Sequence, residues 1–300
     1  MELHQLRYFT AVAETGNFTR AAERNFVAQP SLSQQIMKLE RELGHKLFHR
    51  LGRKAVLTEA GAVFLERARR ILDEVDDAAK ELRDAPSLER TIVVGAIPTL
   101  APFLLPQLLD RAKTAFPYLT VHTLEAFRAD IVSAVVVGEL DLALVALPIK
   151  DHRLSVEVLF TEPLLLAVGR SHRFATQESV TAADLAEETF VLLGDSSSLT
   201  AQIQRFCGDN DFQPKIGYRC AQIATVKSLV GLGFGISILP QVARHGDDRR
   251  TLVYRELSGR APVREVAIVR HLQRYQSRGA EQFLRLIREL SAPPTAPVKS

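Results

Sequence analysis

The chain has 300 residues, 46% hydrophobic and 24% charged, which fits a soluble protein of two or three domains. It has no run of about 18 apolar residues to cross a bilayer, and two cysteines, Cys207 and Cys220, are too few for a disulfide scaffold. The net charge of +3 is unevenly spread: residues 1–70 carry 12 Lys/Arg against 7 Asp/Glu, and the other 230 are slightly acidic, so the basic end is the one suited to nucleic acid.

From the N-terminus, Leu3, Leu6, Phe9 and Val12 recur at helical spacing, and Gly16-Asn17 ends that helix. Thr19 is expected to cap a second helix over Arg20–Arg24, and Asn25–Ala28 to connect it to a third. That third helix opens at Gln29-Pro30-Ser31, where proline is tolerated because the first turn needs no N–H. Leu32, Ile36, Leu39 and Leu43 form its apolar stripe, and Gly44 stops it. Two short basic strands, Lys46–Arg50 and Lys54–Thr58, flank Leu51-Gly52-Arg53 as a β-wing. A long helix follows from Thr58 to about Arg83. Its apolar positions Phe64, Ala68, Ile71, Val75, Ala78 and Leu82 step by 4 and 3, a heptad pattern that predicts pairing with a second helix.

Ala85-Pro86-Ser87 reads as a linker, and beyond it strands and helices alternate, which predicts parallel sheets covered on both faces. Strands are expected at 91–97, 119–126, 141–147, 156–161, 164–168, 190–193, 216–220, 235–239 and 263–269. Helices are expected at 100–116, 130–138, 182–187, 199–208, 223–232 and 280–290. The Pro/Ala-rich end, 291–300, reads as a disordered tail. The pattern divides the chain at 1–58, 59–87 and 88–300.

The first three helices have the layout of a helix-turn-helix, whose second helix puts its N-terminal residues against base edges in the major groove. Gln29, Ser33 and Gln34 are the candidate base readers, since Gln pairs with adenine in a bidentate manner and Ser bonds several bases. Ser31 and the helix N-terminus can hold a phosphate, and Lys38, Arg50 and Arg53 are candidates for backbone contacts. Thr19 and Pro30 complete the expected DNA-binding set.

The run Phe9-Thr10-Ala11-Val12-Ala13-Glu14, Asn17-Phe18-Thr19-Arg20-Ala21-Ala22-Glu23, Val27-Ala28-Gln29-Pro30-Ser31-Leu32-Ser33-Gln34-Gln35-Ile36, Leu43-Gly44, Leu47-Phe48 and Leu57-Thr58-Glu59-Ala60-Gly61 closely resembles the LysR-type transcriptional regulators. The resemblance covers almost the whole chain and weakens after about residue 245. It implies a winged helix-turn-helix DNA-binding domain at 1–58, a dimerising linker helix and hinge at 59–87, and an effector-binding domain at 88–300 made of two Rossmann-like α/β lobes of the periplasmic-binding-protein type, lobe I at about 88–161 and 266–290 and lobe II at about 162–265. It also implies promoter DNA and a small-molecule effector as partners, homodimers that assemble into tetramers, and contact with RNA polymerase. No cofactor is expected.

In open α/β lobes, ligands sit beyond the carboxyl ends of strands, at helix N-termini. Thr99, Leu100, Arg128, Ser196, Ser197, Ser198 and Thr225 occupy such positions and are the expected effector-binding set, suited to an anion such as a carboxylate. Within the family the effector domain is similar to the OxyR-like, peroxide-responsive members, in Ile97-Pro98-Thr99, Glu162-Pro163-Leu164-Leu165-Leu166-Ala167 and Phe206-Cys207. By that resemblance Cys207 falls on the resolving thiol and Ser198 on the peroxidatic one. Serine has no accessible anion at neutral pH and forms no disulfide. The expected signal is therefore a small molecule, with peroxide as the alternative.

Two other classes fit less well. A solute-binding protein would share the lobes, but the Met-Glu-Leu-His-Gln start has no secretory character and the expected compartment is the cytoplasm. An enzyme would need a nucleophile–base set, a phosphate loop or metal ligands. Gly231-x-Gly233-x-Gly235 opens into a strand and lacks the dinucleotide-binding context.

Overall fold

The computed structural model describes residues 1–51, 54–83, 90–259 and 261–291. Arg53 of the expected wing, the Ala85-Pro86-Ser87 linker and the tail from 292 onward lie outside the described residues. The chain forms two compact units, residues 1–85 and 86–300.

The first unit, the head, contains α1 (Leu3–Thr15), α2 (Phe18–Arg24), α3 (Gln29–Leu43), the strands β1 (Phe48–Leu51) and β2 (Lys54–Leu57), and α4 (Glu59–Arg83). β1 and β2 pair antiparallel, with Phe48 opposite Leu57. Leu6, Phe9, Val12, Leu32, Ile36, Leu39 and Ala68 are buried in one core, and the Phe9 ring lies 5.3 Å from Phe48 and 5.1 Å from Phe64. Each such ring contributes roughly 1.5–3 kcal/mol by leaving water. α4 docks where the wing ends. The Thr58 hydroxyl donates to Lys46 O at 2.6 Å and accepts from Gly61 N at 2.9 Å. A Cβ on Gly61 would stand 2.1 Å from Leu47 O, so only glycine lets helix and wing approach this closely.

Two expectations for the head are corrected. The cap of α2 is Asn17, whose side chain accepts from Thr19 N at 2.8 Å and Arg20 N at 3.1 Å; Thr19 sits inside the first turn. A side chain two and three residues ahead of those amides reaches them, which the hydroxyl of Thr19 cannot do for its own N–H. The heptad stripe of α4 also divides: Phe64 and Ala68 pack onto the head's own core, as do Leu65 and Leu72 beside the stripe, while Ile71 stays exposed, as does neighbouring Val63. The side chain of Leu82 is outside the described residues.

The second unit has a seven-stranded sheet of β3 (Arg90–Ala96), β4 (Leu119–Glu125), β5 (Leu142–Ala146), β6 (Leu154–Gly169), β9 (Ser237–Pro240), β10 (Leu252–Arg255) and β11 (Val263–His271). Their order is β10-β6-β11-β5-β3-β4, with β9 also on β6. A separate parallel pair is β7 (Thr189–Leu193) and β8 (Lys215–Cys220). The helices are α5 (Ala101–Ala115), α6 (Arg128–Val137), α7 (Ser198–Gly208), α8 (Ile223–Gly231) and α9 (Arg278–Ser291). β3 runs parallel to β4 and β5, as alternation predicts, but β6 and β11 are antiparallel to each other.

The strands expected at 156–161 and 164–168 are one strand. The Glu162-Pro163 break between them marks a change of partner instead of a turn. Up to Pro163 the strand pairs with β11; from Leu164 it pairs with β9, and from Leu166 also with β10. Proline, lacking an N–H, suits the residue at which one ladder ends. The helix expected at 182–187 is only a 3-10 turn, Ala183–Leu185, and β10 was not foreseen.

Two cores lie on this frame. Ile92, Val94, Leu142, Leu144, Ile131, Leu108, Phe283 and Ile287 build lobe I. Phe174, Phe190, Val191, Ile203, Cys207, Val226 and Ile238 build lobe II. Gly235, with φ +156, explains the glycine series: a Cβ there would meet Thr189 O at 2.3 Å. Its role is close passage of two backbones, with no phosphate involved.

Candidate nucleic-acid interface and ligand cleft

α3 begins at Gln29 with Ala28 as its cap residue and Pro30 in the first turn. Gln29, Pro30, Ser31, Gln34 and Lys38 are all exposed. Ser31, Gln34 and Lys38 recur at three- and four-residue steps, so they share one face. Thr19 and Arg20, at the start of α2, are exposed as well. The opposite face is anchored: Leu32, Ile36 and Leu39 are buried, and Gln35 accepts from Gln5 Nε2 at 3.0 Å.

Ser33 departs from the expected role of base reader. It is buried, and its hydroxyl accepts from Arg50 Nη1 at 3.1 Å. Arg50 also stacks on Phe18, with its guanidinium carbon 4.7 Å from the ring centroid. The pair therefore fixes the wing against α3 and α2, while the exposed remainder of Arg50 stays available to a phosphate.

A second brace was missed in the sequence. Glu40 is 4% exposed and accepts from Leu47 N at 2.9 Å, Phe48 N at 3.3 Å and Lys46 Nζ at 3.2 Å. The only sequence signal was a charged residue beside Leu39 on the apolar side of the helix.

In the second unit, the expected effector residues lie at the carboxyl ends of the parallel strands β3, β4, β7 and β8. Three side chains join the lobes or their strand ends there. Arg128 Nη1 donates to Ala146 O at 3.4 Å and Pro148 O at 3.3 Å. Gln202 Nε2 of α7 donates to Leu147 O at 3.1 Å. Lys227 Nζ of α8 stands 5.8 Å from the Phe103 ring centroid of α5.

Individual residues differ from expectation. Thr99 is buried, and its hydroxyl accepts from Arg264 Nη1 at 2.9 Å while its carbonyl accepts from Nη2 at 3.3 Å. Leu100 is fully buried in the lobe I core, which removes its side chain from ligand contact. Ser197, buried, caps α7 through Leu199 N at 3.3 Å. The helix therefore starts at Ser198, one residue earlier than expected. Ser198 is buried too, whereas Ser196 and Thr225 are exposed.

Arg264 was missed because its partners are distant in the chain. It is 1% exposed and donates from Nε to Glu162 Oε1 at 2.8 Å. Glu162 Oε2 accepts from Val242 N at 2.7 Å. Burial lowers the pKa of Arg264, and the adjoining Glu162 carboxylate counters that shift. Below α8, Asp248 accepts from Lys227 Nζ at 2.7 Å, Tyr254 OH at 2.7 Å and His245 N at 2.9 Å. Burial raises the Asp248 pKa, but these donors together hold it below the ordinary value.

Both cysteines are buried. Burial pushes the Cys207 thiol up to about 12 and raises that of Cys220, so neither has thiolate character at neutral pH.

Comparison with known proteins adds to this geometry. Residues 3–62 match the bacterial regulatory helix-turn-helix proteins of the lysR family, and residues 85–292 match the LysR substrate binding domain. The chain is 35% identical over 273 residues to the DNA-binding transcriptional dual regulator OxyR of Escherichia coli, covering 90% of this chain and 89% of that one. It is 31% identical to the Hca operon transcriptional activator HcaR of Escherichia coli, covering 99% of this chain and all of that one. Among solved structures, a full-length OxyR variant from Pseudomonas aeruginosa aligns with a TM-score of 0.62 at 29% identity, over 96% of this chain and 100% of that one. Full-length CbnR complexed with its target DNA aligns at 0.57 and 26%, over 97% and 100%.

Proposed function

Since this chain belongs to the lysR family of bacterial regulatory helix-turn-helix proteins, and is thus a DNA-binding transcription regulator, we propose that it reads promoter DNA with the exposed face of α3 under the control of a small anionic effector held between the lobes. The observation that carries the reading is the division of α3. Its Leu32–Leu39 side is locked in the head, and Gln29, Ser31, Gln34 and Lys38 are left exposed. Gln29 and Gln34 read bases; Ser31, Lys38, Arg50 and the α2 start at Thr19 hold phosphates. Ser33 supports the readers by holding Arg50.

Binding of the effector favours one arrangement of the lobes and so of paired subunits, by as much as its affinities for the two arrangements differ. The subunits pair through α4, whose Val63 and Ile71 are exposed, and assemble into tetramers. The regulator acts in the cytoplasm, touches RNA polymerase at the promoter and turns over no substrate. No helix among the described residues is long and apolar enough to cross a membrane. The anionic effector is supported by Arg128 and by the α7 start at Ser198, where the positive end of the helix dipole favours negative charge. A small-molecule signal, in preference to peroxide, is supported by the buried, protonated Cys207.

A gel shift with the upstream intergenic DNA tests the first part. Gln34→Ala is expected to lower affinity by about 1–3 kcal/mol and to relax base preference at one position; unchanged affinity and preference would overturn the assignment. A thermal-shift screen of small carboxylates tests the second. Stabilisation is expected in the wild type and its loss in Arg128→Ala, and an equal response in the variant counts against the anion reading.

A further inference from the structure

The turn that joins α2 to α3 carries a side chain that the fold itself does not use. Phe26 is 96% exposed, more than any other large apolar side chain among the described residues. Its backbone is left-handed, with φ +55. The way α2 stops imposes that conformation. Phe26 N donates to Glu23 O at 3.1 Å and Val27 N to Ala22 O at 3.0 Å, the pair of bonds that closes a helix through one left-handed residue. Glycine is usual at such a position and asparagine next, because a Cβ crowds the following carbonyl. A bulky aromatic residue there is an outlier.

Two penalties therefore fall on one residue: backbone strain and an apolar ring in water. Neither holds the turn in place, since the next residue, Val27, packs against the head's core. Strain that the fold does not need collects at functional positions, and the function available here is set by what lies alongside. Phe26 stands three residues before Gln29. Their Cα atoms are at most about 11 Å apart, a span of about three base-pair steps at roughly 3.4 Å each. Ala28, Gln29, Pro30 and Ser31 are all exposed, and the ring stands at the edge of that surface. In the major groove the apolar group that a base pair presents to a ring is the C5 methyl of thymine. A phosphate offers a phenyl ring no partner, and base faces are reached only by unstacking the duplex.

We propose that Phe26 is a base-specifying contact, whose ring packs against the C5 methyl of a thymine within about three base pairs of the base that Gln29 reads. It adds an apolar determinant to a surface whose other readers are hydrogen-bonding side chains. This role rests on the reading of α3 as the DNA-reading helix.

Gel shifts of the full chain test it on two forms of the upstream intergenic DNA, one natural and one with uracil in place of every thymine. Phe26→Gly removes the ring and relieves the backbone. On natural DNA the variant is expected to bind about fivefold more weakly than the wild type, or worse. On uracil DNA the two proteins are expected to agree within about twofold, because the methyl is gone and all other methyl contacts cancel between them. The slope of log affinity against log salt is expected to be the same for both, since no phosphate contact is lost. Equal affinities on natural DNA overturn the proposal. So does a deficit that persists on uracil DNA, or a shallower salt slope in the variant. Melting of the full chain checks the fold: Phe26→Gly and Phe26→Asn both accept positive φ and are expected to melt no lower than the wild type. If both melt lower, the ring supports the head and the proposal falls. Gln34→Ala keeps the main reading separate. Weakening by Gln34→Ala with none by Phe26→Gly defeats the role of Phe26 alone, whereas a wild type that does not shift the DNA defeats both.

Discussion

Glu40 in the head and Arg264 in the second unit are both buried charges, yet they are satisfied over very different lengths of chain. Glu40 takes two backbone amides and a lysine within eight residues. Arg264 reaches 102 residues back to Glu162 and 165 residues back to Thr99. The first charge can be satisfied as soon as α3 and the wing have formed. The second is satisfied only when lobe I, both crossing strands and the turn carrying Val242 are in place. A helix-turn-helix that must present one rigid face is served by a local brace. In the second unit the charge pair instead ties lobe I to the crossing strands.

The largest expected effect breaks that tie. Arg264→Met leaves Glu162 buried without its cation and is expected to cost about 3–5 kcal/mol, read as a lower denaturation midpoint for the second unit. The double variant Arg264→Met with Glu162→Leu should recover much of that loss; if it is no better than the single variant, the pair is not what is being measured. Glu40→Ala is the matching break in the head. It strands the Leu47 and Phe48 amides, and about 2–3 kcal/mol is expected. Hydrogen exchange should quicken at those two amides while the second unit is unaffected, and exchange spread through both units would contradict a local brace.

Asp248→Asn sharpens the comparison at smaller scale, because its partners lie at intermediate distance and its side chain is only 14% exposed. About 1–2 kcal/mol is expected. The folded pKa of Asp248 lies below its ordinary value of 3.8. Its contribution is therefore complete above that ordinary value and is lost as the pH falls through the lower folded one. The stability difference between wild type and variant should shrink in that acid window and stay flat near neutrality. A difference that grows on acidification would reverse the assignment.

The same contrast explains what could be read from the residues alone. The helices of the head, the wing and the stop at Gly44 follow from apolar spacing and local stop signals, and the structure places them within a residue or two. Ser33 was misread because a polar residue near a helix start looks solvated, while its burial depends on Arg50, seventeen residues on. Thr99 failed for the same reason at ten times the distance. In α4, spacing identified the apolar positions but not which neighbour each would meet: Ala68 went to the head's core and Ile71 outward. Glu162-Pro163 looked like a turn because pattern alone does not distinguish the end of a strand from the end of a pairing. The contact of Gln202 with the Leu147 carbonyl was invisible for the same reason, since that partner lies 55 residues away.

The return of the chain through β11 bears on how the protein is made. Lobe I starts at β3 but draws Phe283 and Ile287 of its core from α9, while every core residue of lobe II lies between Leu164 and Leu257. During translation, lobe II can therefore finish folding on the ribosome while lobe I still waits for the last helix to emerge. A frameshift shortly before residue 278 would release a product with one sound lobe and one open, oily face, a substrate for chaperones and proteases that would still carry an intact DNA-reading head.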